Sequence, residues 1–251
     1  MTGNVIEAVN KAREFFGIKE FPGNFFKLLE GFENINKDSF LLFKEDIAKL
    51  SGFIGYGKND LTVICINYKR SLGHQNFTLA HELGHWFLHK GMNISDDDKC
   101  IFSQDIREKE ASDFAAELLY PEKLFVQDYF DILAKGLLDE NRRKDLAEYI
   151  DSLCHKYCLS FEMVLRKILY KHRKVAQYKE FHRQIVKSLG CKISEYFDKD
   201  FYVPNEELEE YQQSRRPYEL LEKKIDRLVN MGKIGAATAE SLKYRNGIVI
   251  K

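Results

Sequence analysis

The stretch Phe77-Thr78-Leu79-Ala80-His81-Glu82-Leu83-Gly84-His85-Trp86-Phe87-Leu88-His89 constrains this chain more than any other. Its apolar positions (Phe77, Leu79, Ala80, Leu83, Trp86, Phe87, Leu88) bury a helix against a core and carry two histidines and a glutamate in with them. His81 and His85 are four residues apart, one turn above each other on one helical face, so both imidazoles reach a single ion. Glu82 points into the same space from a neighbouring angle, where it polarises a water beside the ion without taking a coordination position. Without an ion, two buried imidazoles and a buried carboxylate are costly to leave unpaired.

Catalytic zinc takes three protein ligands and keeps a fourth position open, so a third residue is required. The segment Glu108-Lys109-Glu110-Ala111-Ser112-Asp113-Phe114-Ala115-Ala116-Glu117-Leu118-Leu119-Tyr120-Pro121 reads as a second helix, with its apolar stripe through Ala111, Phe114, Ala115, Leu118 and Leu119. Glu110 borders that stripe and is the candidate favoured by position. Glu117 lies two turns on, about 10 Å along the axis, so the two do not share one ion. Asp113, one turn from Glu110, suits a hydrogen bond to a ligand imidazole.

These two strings together resemble the ImmA/IrrE family of zinc metallo-endopeptidases. The resemblance is strong over about residues 40–121 and weaker over the helix, turn and helix that end near Arg173; nothing after that is recognisable. It implies that His81, His85 and Glu110 hold zinc and that Glu82 is the general base. It also implies a narrow protease whose substrate is a specific helix-turn-helix transcriptional repressor, often encoded beside it on a mobile element or in a stress-response locus. The chain departs from the family pattern at Ser112 (often Asn), Tyr120 (often Met) and Asn76 (commonly basic). None of the three removes a ligand or the base, so the departures bear on substrate contacts.

The organisation expected around these helices is α+β: a small antiparallel sheet and a zinc-bearing helix pair in a zincin-like domain, then an all-helical C-terminal part. Short apolar runs at Phe40 to Phe43, Gly52 to Gly57 and Leu61 to Tyr68, separated by turn residues, supply the sheet. The metal helix reads as Gln75 to Lys90, stopped at Gly91, and Asn93 to Lys99 as a polar, acidic loop. Soft boundaries near Pro121 and residue 175 give three regions: 1–121, the metallopeptidase domain; 122–174, a helical extension with a helix-turn-helix-like pair; and 175–251, helical and of unknown role. The amphipathic helices of the last region offer apolar faces for a partner or for docking onto the front domain.

The 251 residues include 39 basic and 39 acidic side chains, and this balance argues against wholesale coating of nucleic acid or membrane. No apolar run reaches the ~18 residues needed to span a bilayer and no signal-like segment opens the chain, so a cytoplasmic location is expected. The five cysteines are scattered; Cys154, His155 and Cys158 suit core packing better than a metal clip. His89 continues the four-residue spacing but drifts ~40° per step, which makes it a helix-end histidine, and His74 reads as an exposed loop residue. Tyr56 and Tyr68 on the sheet could support an oxyanion but fit packing roles. From Met163 to Lys179 there is no acidic residue, while Arg166, Lys167, Lys171, Arg173, Lys174 and Lys179 are basic. That run sustains the rival reading: a regulator that binds DNA or a partner protein, or one half of a toxin–antitoxin module, in which the metal site is structural or unused.

Overall fold

The computed structural model describes residues 2–29, 40–45, 47, 49–56, 61–89, 94–97, 106–203, 216–232 and 234–245. The fold is α+β. Helix α1 (Gly3–Phe16) buries Val5, Ala8, Val9 and Ala12 and ends at Gly17, whose φ of 67° is the left-handed conformation that glycine adopts without strain. Three strands follow, β1 (Phe40–Glu45), β2 (Leu50–Tyr56) and β3 (Thr62–Asn67), and then helix α2 (Leu72–Leu88), which carries His81, Glu82 and His85. Strand β4 (Ile94–Asp97) precedes α3 (Ile106–Leu119), α4 (Glu122–Ala134), α5 (Arg143–Tyr157), α6 (Phe161–Lys171) and α7 (Tyr178–Leu189). Two four-residue helices, α8 (Ile193–Tyr196) and α9 (Lys199–Tyr202), lead towards the pair α10 (Arg216–Asn230) and α11 (Ala236–Arg245).

The sheet corrects one expectation. Its order is β1-β3-β2-β4, with β1 parallel to β3 and the other pairings antiparallel. Chain direction still alternates from β1 to β2 to β3, as short runs with tight turns lead one to expect. The difference is that β3 inserts between the first two strands, and an inserted third strand runs parallel to the first. Burial explains the preference: Thr62, Ile64, Cys65, Ile66 and Asn67 are all buried, and a strand covered on both faces belongs in the middle of a sheet. Residues 94–97, expected in a loop, pair with β2 as an edge strand, because backbone pairing does not need an apolar side-chain pattern. Gly91, the expected stop of the metal-bearing helix, lies outside the described residues.

Helix α2 is buried on nearly every side: Gly73 and every residue from Gln75 to His85 are inaccessible to solvent or nearly so. Side-chain amides fix where it starts. Gln75 Nε2 donates to the carbonyls of Tyr68 and Arg70 (3.0 and 2.6 Å), holding the short link from β3. Asn76, wholly buried, accepts from the Phe25 amide (2.7 Å) and donates to the carbonyls of Gly23 and Cys158 (2.9 and 3.0 Å). Three distant segments thus meet on one side chain, and each buried backbone group finds a partner there. His74 lies within α2, corrected from a loop, with Nε2 3.1 Å from Ser51 Oγ at the point where the β2–β4 register shifts.

One hydrophobic core joins α1, the sheet and α2 to α7, extending to Phe201 in α9. The α5–α6 pair forms as expected: Cys158 in the left-handed conformation (φ 52°) ends α5, and Ser160 Oγ accepts from the Met163 amide to cap α6. Its turn is not exposed. A Cβ added at Gly73 would lie 2.3 Å from both Leu159 C and Ser160 N, so the turn sits directly on the first coil of the metal helix. Cys154 and Cys158 are buried and unbridged, as core thiols. Helices α10 and α11 pack around a small cluster of their own, Ile225 and Ala239 with Val229, Ile234 and Leu242. Among the described residues, no helix is long and apolar enough to cross a membrane.

Candidate metal centre

Glycine makes the centre possible. Gly84 faces α3, where a Cβ would lie 2.9 Å from Ala111 Cα and 3.1 Å from its carbonyl oxygen. With no side chain at that point, the two backbones come close enough for short α3 side chains to reach the α2 imidazoles. Ala111 and Ala115 line the same contact and are fully buried. Phe87 stacks on Phe114 (5.9 Å between centroids) and closes one end.

Within this seam His81, Glu82 and His85 have no exposed surface. His81 Nε2 and His85 Nε2 are 3.1 Å apart, and Glu108 Oε2 lies 3.1 Å from the first and 3.5 Å from the second. Among the described residues, these three form the one group of donors close enough to hold an ion together. The triangle has the right size for zinc: bonds of 2.0–2.2 Å in a tetrahedral set put neighbouring ligand atoms about 3.3 Å apart. Protonation states suit it as well. Burial lowers the His81 pKa despite the Glu108 carboxylate, so the ring is neutral and the contact is a hydrogen bond rather than an ion pair. Burial alone would raise Glu108, but the His81 and His85 imidazoles beside it outweigh that and bring its pKa to about 2. Two imidazoles and one carboxylate crowding one point are a donor set that a dication satisfies.

The side chains behind the triangle are also arranged. His81 Nδ1 is 3.3 Å from Ser112 Oγ, one turn beyond Glu108 on α3. His85 Nδ1 is 3.1 Å from His89 Nδ1, and His89 Nε2 is 3.2 Å from Glu110 Oε2. The structure therefore brings His81 and His85 together, keeps Glu82 wholly buried on the same helix, and sets Glu110 against His89, with Glu108 between the two imidazoles. Helical geometry gives the reason. Glu108, Ala111, Ser112 and Ala115 share the face that meets α2, whereas Glu110 is about 200° around the helix from Glu108. The four-residue spacing of Glu108 and Ser112, flanking Ala111, is the sequence signal for this face. Glu82 also acts at a distance: burial and its negative charge push the Tyr56 hydroxyl at the end of β2 up to about 12.

The family model described as the IrrE N-terminal-like domain, a peptidase family, matches residues 41–169, just over half of the chain and the whole of the centre. The chain belongs to this family. Metallopeptidase ImmA from Bacillus subtilis (strain 168) is 39% identical over 85 residues, 33% of this chain and 49% of that protein. The match thus spans about half the length of that relative. Each departure from the family pattern now has a local part: Ser112 meets the His81 imidazole, Asn76 ties three segments, and Tyr120 stacks on Tyr157 (4.0 Å), both hydroxyls donating to Asp128 (2.9 and 2.8 Å).

In the basic run after Ser160, Arg166, Lys167 and Lys171 are engaged within the molecule. Arg166 pairs with Glu162 (2.7 Å) and lies over the Tyr178 ring, and Lys171 pairs with Glu122 (2.9 Å). Lys167, whose pKa burial lowers, donates to the Tyr120 carbonyl (2.8 Å) and so caps the end of α3.

Proposed function

We propose that this protein is a zinc-dependent endopeptidase that cuts a specific protein, with a helix-turn-helix repressor as the substrate class. The observation that carries the reading is the donor triangle of His81, His85 and a glutamate of α3 beside the wholly buried Glu82. Geometry favours Glu108 as the third ligand, while the family resemblance implies Glu110. Zinc, when bound, supplies a Lewis acid that polarises the scissile carbonyl and makes water acidic enough to attack it near neutral pH. The chain's own residues do the rest. Glu82 takes the proton from the attacking water and returns it to the leaving amine. Ser112 Oγ and His89 Nδ1 sit behind the outer ring nitrogens and hold the imidazole planes. The low-dielectric seam strengthens each of these interactions. Internal pairing of Arg166, Lys167 and Lys171, and the burial of the α5–α6 turn against Gly73, favour proteolysis over a DNA-reading role.

The test is incubation of the full chain with the repressor encoded beside its gene, with unrelated unfolded protein as a control. Cleavage at a defined site, stopped by a strong chelator and restored by zinc, is the expected result. Cleavage that persists after metal removal, or none of any repressor by zinc-loaded protein, contradicts the proposal.

A further inference from the structure

Resting on the reading of a metal held by His81 and His85, we propose that Glu110 and His89 form a positioning pair that sets the tautomer of His85. Glu110 Oε2 lies 3.2 Å from His89 Nε2, and a carboxylate only accepts, so the proton between them belongs to His89 Nε2. A neutral imidazole protonated there has a bare Nδ1. His89 Nδ1 is 3.1 Å from His85 Nδ1, and that contact needs a donor, which His85 supplies. His85 Nε2 is then the bare nitrogen, and it is the atom that faces His81 Nε2 and Glu108 Oε2. The lone pair is aimed at the ion position before any ion arrives.

The backbone supports the assignment. His89 is the C-cap of α2, and its amide donates to the His85 carbonyl (2.7 Å), fixing its ring one turn beyond that of His85. The His89 side chain is 9% exposed and that of Glu110 24%, so the relay ends at the protein surface. Glu110 therefore acts on the ion through two rings rather than by touching it, as hydrogen-bonded carboxylates behind ligand histidines do.

The experiment has two readouts, neither of which is peptidase activity. In metal-free protein, long-range proton–nitrogen correlation spectra read which nitrogen of His85 carries the proton. Wild type is expected to show Nδ1–H on His85, with His89→Leu and Glu110→Ala shifting the ring towards the other tautomer. Titration with zinc against a chromophoric chelator is expected to give about 10–100-fold weaker binding for either variant, in line with the loss of such an outer partner. The double variant is expected to be no weaker than His89→Leu alone, since both break one relay. His89→Asn, which keeps an acceptor near the position of Nδ1, is expected to recover most of the affinity. A proton on His85 Nε2 in wild type overturns the proposal. So does Glu110→Ala emptying the site while His89→Leu does not, because Glu110 would then be a ligand. If His89→Leu fails to fold, the partly exposed Glu110→Ala gives the same tautomer readout. Tight zinc binding without cleavage would refute the peptidase reading and leave this relay standing.

Discussion

Replacing Glu82 by glutamine is expected to lower peptide hydrolysis by about 10²–10⁴-fold while zinc content and fold stay unchanged. The substitution keeps shape and volume but removes the group that accepts a proton, and Glu82 lies outside the triangle of His81, His85 and Glu108. Burial makes the change informative, because no solvent carboxylate can stand in for a residue with no exposed surface. Metal analysis beside a cleavage assay separates the roles. Lost zinc would make Glu82 a ligand, and undiminished cleavage would remove it from the chemistry.

The largest structural effect is expected from Gly73→Ala, a loss of about 3 kcal/mol or more. Alanine ordinarily stabilises a helix by roughly 1 kcal/mol relative to glycine, so the sign here is set by the contact. The new Cβ would lie 2.3 Å from backbone atoms of Leu159 and Ser160, and backbone cannot rotate aside as a side-chain tip can. The turn is held in place as well, through Asn76 to the Cys158 carbonyl and through the left-handed Cys158. For a chain of this length the loss corresponds to a fall in Tm of roughly 6–12 °C. Gly3→Ala, where nothing lies within 4 Å, is the matched control. Equal melting temperatures for the two variants would show that the α5–α6 turn does not rest on the metal helix.

Much of the centre was legible in the sequence because its signals are local. Two histidines one turn apart, a glutamate beside the first and an apolar surround need only the helical period to be read. What was not legible depends on distances between elements. The choice between Glu108 and Glu110 turns on how α3 is rotated against Gly84, which depends on a backbone approach that no periodicity encodes. His89 reads as a helix-end residue along its own helix and gains its relay position only when Glu110 arrives from α3. The order of the sheet is hidden for a similar reason: alternating short strands fix chain direction, but the burial of both faces of β3 decides which strand lies in the middle. The helix-turn-helix-like pair is the same kind of case. Its sequence describes the two helices and their capped turn, while the partner of that turn, Gly73, lies far away in the chain.

Metal analysis of the full chain decides whether α2 and α3 together build a zinc site. Wild type, His85→Ala and Glu108→Ala would be purified in parallel and equilibrated with limiting zinc. About one zinc per chain is expected in wild type and an empty site in both variants, with circular dichroism spectra unchanged. Wild-type protein that takes up no zinc, or a Glu108→Ala variant that holds it as tightly as wild type, would show that the two helices do not bind zinc in this way.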